Sequence, residues 1–289
     1  MLGTKLQINQ ITEKEQLNSV IKKITIYAPD IAAKAKAGQF VIFKVHEDSE
    51  RIPLTISSWD KENQTISLIF QEIGFSTKEL GCLEVGQKIQ SVVGPLGNAS
   101  EIKNYGTAVV ICGGLGTAVA YPVAKALKEA GNRVISIMGA RSEELFILEK
   151  EMRAISDEVY LTSDDGTKGQ KGFVSDVLKS LIAKNYKFDI AFAIGPPIMM
   201  SVIADITRPY GIKTIASLNP IMVDGMGMCG ACRVTIDGKI QFACVDGPEF
   251  DAHKVNFREL MQRLKSYCDE EKFTLSVQST GGNCQCHGH

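Results

Sequence analysis

The sequence lacks a charge excess and a long apolar run, and each absence excludes a class of protein. Its 32 Lys and Arg residues nearly balance its 33 Asp and Glu residues, which leaves a formal net charge of −1. This balance gives no electrostatic reason to expect nucleic acid or an anionic membrane surface as a partner. No run of about 18 apolar residues occurs, and the opening residues lack the apolar core of a signal peptide. We therefore expect a cytoplasmic protein with no membrane partner.

Cysteine is present but unevenly placed. Eight cysteines occur in 289 residues, and they are clustered rather than spread along the chain. A secreted disulfide framework is typical of short chains with regularly recurring cysteines, so this distribution argues against one. The composition is otherwise that of an ordinary globular protein, with 44% hydrophobic and 22% charged residues. A chain of this length suggests about two domains.

Three cysteines and an aspartate share one short segment with the spacing D-x4-C-x2-C-x11-C: Asp224, Cys229, Cys232 and Cys244. The plant-type [2Fe–2S] sequence is C-x4-C-x2-C followed by a distant fourth cysteine, so Asp224 stands where the first thiolate would be. The D-G dipeptide at 237–238 predicts a β-hairpin that returns Cys244 to the other two cysteines. The segment is therefore a candidate metal site, for which we favour a [2Fe–2S] cluster.

Other chemistries fit parts of the same segment. Three cysteines and an acid could hold zinc, because an oxygen ligand suits that metal, and the C-x2-C pair could be a redox dithiol. The dithiol is disfavoured because no thioredoxin-like βαβ unit surrounds the pair. Asp224 could also be only a turn residue, with the fourth ligand supplied elsewhere.

The first hundred residues contain short apolar runs separated by glycines and other turn signals. Runs at this spacing predict the strands of a small antiparallel β-barrel or sandwich. The predicted strands are Val20–Tyr27, Gln39–His46, Leu54–Trp59, Thr65–Gln71 and Lys88–Val93.

Two features of this region suit a cofactor that carries phosphates. The stretch R-I-P-L-T-I-S, from Arg51 to Ser57, offers a cation for a phosphate and hydroxyls for a flavin edge. The small residues Gly74, Ser76 and Thr77 precede a short helix, whose unpaired N–H groups suit a pyrophosphate. The alternative for each feature is structural: a surface arginine and a helix N-cap.

Residues 107–218 switch to alternating strands and helices, and the strands are almost continuously apolar. This alternation predicts a doubly wound α/β fold with a parallel sheet, in which ligands bind at the carboxyl ends of the strands. The predicted strands are Thr107–Cys112, Arg133–Gly139, Asp157–Thr162, Phe188–Gly195 and Lys213–Ser217. The predicted helices are Thr117–Ala130, Leu145–Met152, Phe173–Lys184 and Ile198–Pro209.

The turn Gly113-Gly114-Leu115-Gly116 follows the first of these strands and precedes the helix that begins at Thr117. That position suits a nucleotide pyrophosphate. No acid ends the second strand; Arg141 follows it and could meet a 2′-phosphate or stack on adenine, so NAD(H) and NADP(H) both remain open. Gly195 and Pro196 end the fourth strand, where a ligand could lie close to the backbone; an ordinary strand-to-helix turn is the alternative.

Together, the three regions resemble the ferredoxin–NADP reductase superfamily. The motifs that carry the resemblance are R-x-P-L-T-x-S from Arg51, G-G-x-G from Gly113 and G-P-P-x-M-M from Gly195. The segment S-L-N-P-I-M-V-D-G-M-G-M-C-G-A-C-R-V, Ser217–Val234, is similar to the small subunits of NADH-dependent ferredoxin–NADP oxidoreductase and of sulfide dehydrogenase. These are related to the electron-transfer subunit of dihydroorotate dehydrogenase, and the resemblance covers nearly the whole chain.

The resemblance implies an FAD-binding β-barrel in residues 1–100, an NAD(P)-binding α/β domain in 101–220, and a [2Fe–2S] segment with a C-terminal helix and tail in 221–289. With the motifs above, it gives three sets of candidate site residues. The FAD set is Arg51, Pro53, Leu54, Thr55, Ile69, Phe70, Gln71, Gly74, Ser76 and Thr77. The nucleotide set is Gly113, Gly114, Gly116, Thr117, Arg141, Gly195 and Pro196, and the cluster set is Asp224, Cys229, Cys232 and Cys244.

Two positions distinguish this sequence within the superfamily. The dihydroorotate-type subunits carry a cysteine at the first ligand position, whereas an aspartate there, as at Asp224, resembles the bifurcating transhydrogenase subunit. Ile194 stands where many reductases of the superfamily carry a cysteine before the Gly-Pro, so the resemblance implies no thiol beside the nicotinamide.

The predicted function is that of an electron-transfer flavoprotein subunit, an oxidoreductase that moves electrons between NAD(H) or NADP(H), FAD and a [2Fe–2S] cluster. We expect no catalytic side chain beyond those that hold the cofactors. By resemblance the partner is a larger flavin and iron–sulfur subunit, in a heterodimer or higher assembly, with ferredoxin as an indirect partner and electron bifurcation as an open possibility. The alternatives are the electron-transfer subunit of dihydroorotate dehydrogenase, and a redox-sensing or metal-binding module on a reductase fold.

The C-terminal region gives weaker signals. Asp251–Tyr267 predicts an amphipathic helix that could cap the domain or meet a partner. The tail contains two cysteines and two histidines, which could bind a soft metal; a terminus that binds nothing specific is the alternative. These tail residues are Cys284, Cys286, His287 and His289.

Overall fold

A computed structural model describes residues 6–280 of the chain. The N-terminal part forms a six-stranded antiparallel sheet with the order β1-β2-β5-β4-β3-β6. Two helices accompany it, α1 (Pro29–Lys34) and α2 (Phe75–Cys82). The strands are β1 (Ile11–Gln16), β2 (Ile21–Tyr27), β3 (Phe40–Lys44), β4 (Ile52–Asp60), β5 (Thr65–Gln71) and β6 (Ser91–Leu96).

The sheet curls into the predicted barrel. An antiparallel bridge between Gln10 and Lys88 joins the start of β1 to the segment before β6, and the N–H of Ile11 donates to the carbonyl of Gln87 at 2.8 Å. The interior is filled by large apolar side chains, because alternate residues of each strand face inward. Among those fully buried are Ile24, Phe43, Ile56, Leu68 and Phe70.

The sequence-based prediction missed β1 and placed β6 three residues too early. In β1, I-T-E-K-E-Q, only Ile11 is buried, so the strand has too few apolar residues to be recognised by pattern. The predicted strand Lys88–Val93 begins instead at Ser91, because Lys88 and Ile89 bond to Asn9 and Gln10, just before β1.

The second part is a seven-stranded sheet with the order β10-β9-β8-β7-β11-β12-β15, parallel except for the last strand. Its helices are α3 (Gly116–Glu129), α4 (Glu149–Ile155), α5 (Val174–Ala183) and α6 (Pro197–Thr207). Its strands are β7 (Thr107–Gly113), β8 (Arg133–Ala140), β9 (Glu158–Ser163), β10 (Gln170–Lys171), β11 (Ile190–Ile194), β12 (Lys213–Ser217) and β15 (Glu249–Asp251).

Helices cover both faces of this sheet, as a doubly wound fold requires. Alternate residues of β7 pack in opposite directions: Val109 and Ile111 lie in the cluster that contains α5 and α6, and Val110 and Cys112 in the cluster that contains α3. The chain runs from β7 outward to β10 and then returns to β11 on the other side of β7. The crevice at the carboxyl ends of β7 and β11 is therefore the topological switch point, where such folds bind ligands.

Two predicted helices differ from the structure. The prediction Leu145–Met152 is wrong at its start: a 3₁₀ turn occupies Glu143–Leu145, Leu148 has a left-handed φ of 54°, and α4 begins only at Glu149. The prediction Asp251–Tyr267 is also wrong, because this stretch begins with the end of β15, which pairs with β12.

The rest of that C-terminal stretch forms α7 (Phe257–Arg263), followed by α8 (Cys268–Thr280). Helix α7 begins where Asn256 caps it: the side-chain oxygen of Asn256 accepts the N–H of Glu259 at 3.1 Å. The candidate metal residues of the tail lie outside the described residues. None of the described helices is long and apolar enough to span a bilayer.

The predicted hairpin is confirmed. Strands β13 (Arg233–Ile236) and β14 (Lys239–Phe242) pair antiparallel through a two-residue turn at Asp237 and Gly238. Both turn residues have positive φ, 51° and 74°, as the common tight hairpin turn requires. The hairpin carries the chain back, so that Cys244 lies beside Cys232.

Candidate functional site

The barrel opens where β4 leaves β5. Strand β4 pairs with β5 only from Ile56↔Leu68 to Asp60↔Thr65, and its first residues pair with β3 instead. The 52–55 half of β4 and the 69–71 half of β5 therefore diverge and expose backbone edges between them. The predicted FAD residues on these two edges are Pro53, Leu54, Thr55, Ile69, Phe70 and Gln71.

Not all of these side chains are free to meet a cofactor. Pro53, Leu54 and Thr55 are half-buried, as is Gln71. The side chain of Phe70 is fully enclosed in the barrel core, so this residue offers a cofactor only its backbone.

The loop before β4 and the start of α2 lie close together. Arg51 is exposed, and its guanidinium has no hydrogen-bond or ion-pair partner among the described residues. Thr77 Oγ1 accepts the N–H of Gly74 at 3.1 Å, which closes the first turn of α2. Ser76 is buried, and its hydroxyl donates to Glu50 Oε2 at 3.2 Å. The predicted pyrophosphate residues thus adjoin Arg51 through Glu50, a contact that local sequence did not indicate.

Two glycine turns meet at the switch point. The N–H of Gly114 donates to the carbonyl of Gly139 at 2.8 Å, and the φ of Gly114 is 56°. A Cβ on Gly116 would lie 2.4 Å from the carbonyl oxygen of Ile194, so helix α3 can approach the end of β11 only because residue 116 is glycine. A Cβ on Gly195 would lie 2.8 Å from Met199 Cε and 3.3 Å from the backbone N of Gly113. The structure therefore brings the two predicted nucleotide turns together.

The remaining nucleotide candidates divide into buried and exposed side chains. Thr117 is buried, and its hydroxyl donates to the Sγ of Cys112 at 3.6 Å. Burial raises the pKa of the Cys112 thiol to about 12, so this cysteine stays protonated and structural. Pro196 and Arg141 are both exposed, Pro196 at the switch point and Arg141 just after β8.

The loop 224–230 folds around the carboxylate of Asp224. Asp224 Oδ1 accepts the N–H of Met226 at 3.0 Å, and Oδ2 accepts the N–H groups of Met228 at 3.0 Å and Cys229 at 2.8 Å. The backbone hydrogen bond from Met226, opposed in part by desolvation and aided by Cys229, lowers the pKa of this carboxyl. Asp224 is therefore an ionised turn residue whose Oδ1 keeps a free lone pair.

Cys232 and Cys244, which lie just before and just after the hairpin, are in contact. Cys232 and Cys244 are both buried, with their Sγ atoms 3.2 Å apart, and the N–H of Gly227 donates to Cys244 Sγ at 3.1 Å. Burial, with the neighbouring thiol, raises the pKa of Cys244 to about 12. Cys229 is exposed and lies on the Asp224 side of the loop. A C-x2-C dithiol is disfavoured, because Cys232 contacts Cys244.

The donors form two pairs, Asp224 with Cys229 and Cys232 with Cys244. No three or more His, Cys, Asp or Glu side chains converge on one metal position within residues 6–280. A mononuclear zinc site needs four ligands around one point, whereas a two-iron cluster needs two protein ligands on each iron. The arrangement fits a [2Fe–2S] cluster better than zinc, and the inward N–H of Gly227 suits its sulfur-rich surface.

The candidate cluster loop packs on strands β3 and β6 of the barrel. Gly225 has a φ of 76°, and a Cβ there would lie 2.8 Å from Leu96 Cδ1 and 2.9 Å from Ile42 Cγ1. Ile42 of β3 pairs with Pro53 of β4, one of the predicted FAD residues. The candidate cluster loop therefore adjoins β3, the strand that pairs with the first half of β4.

The nucleotide turn packs on the same barrel from the other side. Ala118, in the first turn of α3, shares an apolar cluster with Ile69 of β5 and Ile21 of β2. Helix α3 also lies against β4. Three candidate sites from distant parts of the sequence therefore surround the divergence of β4 and β5.

Glu249 joins all three parts of the protein. Its Oε1 accepts the hydroxyl of Ser100 at 2.7 Å, and a Cβ on Gly38 of the barrel would approach that oxygen to 3.3 Å. The residue belongs to β15 and pairs with Ser217 of the α/β sheet. Removal from water raises the pKa of this carboxyl to about 7, with Ser100 opposing the shift. No motif in the sequence pointed to Glu249.

Stability should fall as pH rises because of Glu249. The folded-state pKa exceeds the ordinary value of 4.5, so the stabilising contribution is complete below that value and is lost as pH rises to about 7. We expect unfolding free energy to decline by about 3 kcal/mol over this window. Urea unfolding of wild type and Glu249→Gln at a series of pH values would measure it. The variant should show a flatter pH dependence; parallel curves would contradict the assignment.

Comparisons with known proteins agree with this geometry. The family model for the iron–sulfur cluster binding domain of dihydroorotate dehydrogenase B matches residues 219–256. The chain is 46% identical, over 95% of its length and 96% of the other, to a dihydroorotate dehydrogenase B (NAD(+)) electron transfer subunit homolog of Thermotoga maritima. It is 31% identical, over 83% and 95%, to the electron transfer subunit itself from Lysinibacillus sphaericus.

A solved structure of NADH-dependent reduced ferredoxin–NADP oxidoreductase, described for flavin-based electron bifurcation, also matches. It has a TM-score of 0.90 and 44% identity, covering 96% of this chain and 99% of that one. The ferredoxin-reductase-like fold predicted from the sequence is confirmed. The chain belongs to the family of dihydroorotate dehydrogenase B electron-transfer subunits and their homologues, which are oxidoreductase components.

Proposed function

We propose that this chain is the small subunit of an NADH-dependent ferredoxin–NADP oxidoreductase, which passes electrons between NAD(H), FAD and a [2Fe–2S] cluster. The observation that carries the proposal is the packing of two elements on the barrel strands that flank β4: the cluster loop lies on β3 and β6, and the helix that follows the nucleotide turn lies on β5 and β2. Gly225 lies against Ile42, the strand partner of Pro53, and Ala118 lies against Ile69. Electron transfer requires donor and acceptor to lie close together, and this packing supports such an arrangement.

The flavin is held where β4 and β5 diverge. Arg51 supplies a cation for a phosphate, and the first turn of α2 supplies the N–H groups of Ser76 and Thr77, because the N–H of Gly74 already bonds Thr77 Oγ1. Pro53 to Thr55 and the backbone of 69–71 provide the edges along which the ring system lies. Glu50, which now accepts the Ser76 hydroxyl, must turn away for a phosphate to take that place, because like charges repel.

The dinucleotide lies across the switch point. Gly113, Gly114 and Gly116 let its pyrophosphate approach the N-terminus of α3, beside Thr117. Gly195 and Pro196 on the facing turn leave room for the nicotinamide end, next to the barrel. When bound, the three cofactors supply hydride transfer and single-electron transfer, and the protein fixes their distances and electrostatic surroundings.

The cluster is held by Asp224, Cys229, Cys232 and Cys244. The three backbone N–H groups that bond Asp224 keep its carboxylate ionised and oriented toward the loop interior. A carboxylate in place of a thiolate keeps the formal charge but supplies a harder, weaker donor at one iron, which tunes the reduction potential.

The adenosine end of the site favours NAD(H) over NADP(H). Glu143, Asp164 and Asp165 lie on the two loops that follow β8 and β9, and the N–H of Asp165 donates to the carbonyl of Arg141 at 3.2 Å. Lys168 on the second loop is already paired, with Glu149 at 2.7 Å and Glu143 at 3.5 Å. A 2′-phosphate would add negative charge among these acids. The relatives named for NAD(+) support the same choice.

A larger subunit docks over the cluster. Cys229 is exposed, and apolar side chains surround it, with Met228 84% exposed and Met226 58% exposed. Val223 and Val245 extend the same surface. Exposed apolar surface of this kind marks protein interfaces, and covering it would bring a partner's redox centre close to the cluster. We propose a larger flavin and iron–sulfur subunit as that partner, with ferredoxin acting through it.

The runner-up is the electron-transfer subunit of dihydroorotate dehydrogenase, which the match over residues 219–256 favours. Identity is 31% to the Lysinibacillus sphaericus subunit of that name, 46% to the Thermotoga maritima homolog of that subunit and 44% to the bifurcating oxidoreductase chain. The two functions differ in the partner. A co-purifying subunit rich in iron–sulfur clusters supports the oxidoreductase, whereas an FMN-binding barrel supports dihydroorotate dehydrogenase.

Protein purified without oxygen should show flavin and iron–sulfur absorption that bleaches when NADH is added. NADPH should bleach it far more slowly, because of the acids near Arg141. Absorption spectra recorded after each addition measure this, and dithionite gives the fully reduced reference. Absorption that neither nucleotide bleaches would favour a redox-sensing or metal-binding module, and stoichiometric zinc without iron would exclude the cluster.

A further inference from the structure

A lysine on β2 holds the C-terminal turn of α2. Lys22 Nζ lies 2.9 Å from Glu72 Oε1 and donates to the carbonyl oxygen of Gly81 at 3.0 Å. The two charged side chains are only 17% and 21% exposed. This ion pair is therefore shielded from water more than the surface pairs of the barrel, which strengthens it.

The position of Lys22 suits a helix end. Gly81 belongs to the last turn of α2, where carbonyl groups have no partner within the helix. A cation there satisfies one such carbonyl and interacts favourably with the negative end of the helix dipole. Lys22 thus fastens the end of α2 that lies opposite the proposed pyrophosphate site.

Glu72 anchors the connection that enters α2. It follows β5 directly, and its N–H donates to the carbonyl of Val20, the residue before β2, at 2.9 Å. Only Ile73 and Gly74 separate it from the first residue of α2. Lys22 on β2 therefore contacts both the connection that enters α2, at Glu72, and the turn that ends it, at Gly81.

Gly81 is required for this contact. A Cβ at residue 81 would lie 1.8 Å from Glu72 Oε1 and 2.7 Å from its Cδ. Any other residue would push the carboxylate away from Lys22. Three residues that are distant in sequence thus form one tight cluster, which we call the α2 clamp: Lys22, Glu72 and Gly81.

We propose that the α2 clamp is a positioning device for FAD, which orients the N-terminal turn of α2 toward the diverging strands. This inference rests on the proposed function, because it assigns the pyrophosphate to Gly74, Ser76 and Thr77. Lys22 does not itself touch the cofactor. It holds the short 72–74 connection in the conformation that presents the N–H groups of the helix.

Lys22→Met should weaken FAD binding by about tenfold, the effect of losing one charge-assisted hydrogen-bond pair. FAD titration of flavin-depleted protein, followed by the quenching of flavin fluorescence, gives the dissociation constant. Hydrogen exchange of the apoprotein should accelerate at residues 73–78 and remain unchanged in the rest of the barrel. Gly81→Ala should reproduce both effects, because it displaces Glu72 rather than removing the lysine.

Lys23→Met is the matched control. Lys23 is the next residue on the same strand and pairs with Glu15 at 3.5 Å, away from α2. Its loss removes the same charge without touching the α2 clamp, so FAD affinity should stay at the wild-type value. Lys22→Arg should restore affinity, because its guanidinium can donate to both oxygens.

Three results would overturn the inference. The first is equal FAD affinity of Lys22→Met and Lys23→Met. The second is faster exchange throughout the barrel, which would make Lys22 a general stabilising residue. In both cases wild-type protein binds FAD and the proposed function stands. The third, wild-type protein that binds no FAD, would remove the proposed function and this inference together.

Discussion

Cys244→Ala is expected to remove the iron–sulfur cluster and leave the flavin in place. Cys244 and Cys232 form the buried half of the donor set, with Sγ atoms 3.2 Å apart. The described chain offers no second group of three or more His, Cys, Asp or Glu side chains that could take the metal instead. Iron and acid-labile sulfide should fall to near zero per chain, while FAD content stays at the wild-type value.

The matched control is Cys268→Ala. Cys268 is half-buried at the start of α8, and its Sγ is 3.8 Å from the carbonyl of Leu264, far in sequence from the cluster loop. Its removal should leave iron, sulfide and flavin unchanged. Full iron and sulfide in Cys244→Ala would show that the cluster is held by another set of residues.

Gly225→Val is expected to slow electron transfer between flavin and cluster without removing either. A β-branched residue is strained at a φ of 76°, and its Cβ would overlap Leu96 and Ile42. The loop must therefore move away from the barrel strands. Because the rate of electron transfer falls with the distance between donor and acceptor, this displacement should slow it several-fold. Stopped-flow mixing with NADH should show normal bleaching of flavin and delayed bleaching of the cluster.

Gly238→Val is the control that strains the backbone without displacing the cluster loop. Gly238 also has a positive φ, 74°, but has no atom within 4 Å of an added Cβ. Its substitution strains the hairpin turn to a similar degree and leaves the cluster loop on the barrel. The variant should therefore keep the wild-type rate of cluster bleaching. If both variants slowed it equally, the contact of Gly225 with the barrel would have no part in electron transfer.

Several elements were predictable because their signals are local. The D-G turn gave the hairpin at 237–238, and the apolar runs gave the parallel strands and their helices. The spacing of Asp224, Cys229 and Cys232 identified a metal segment without any tertiary information. In each case the physical cause acts between residues that are near in sequence.

Other elements were missed because their stability comes from distant partners. Strand β1 is mostly polar and forms because β2 lies beside it. The three residues of β15 form a strand because β12 offers a free edge. A helix pattern after Asp251 was overridden by this pairing and by the cap at Asn256, which delays α7.

The sequence by itself determined the reductase-like fold class and the chemical types of the candidate ligands, because periodicity, turn residues and motif spacing act over a few neighbouring positions. Only the tertiary structure decided which groups meet. It set Gly225 against Ile42, Gly116 against Ile194, Ser100 against Glu249 and Lys22 against Gly81. Such contacts join residues far apart in the chain, and they depend on how closely packed surfaces fit rather than on any local preference.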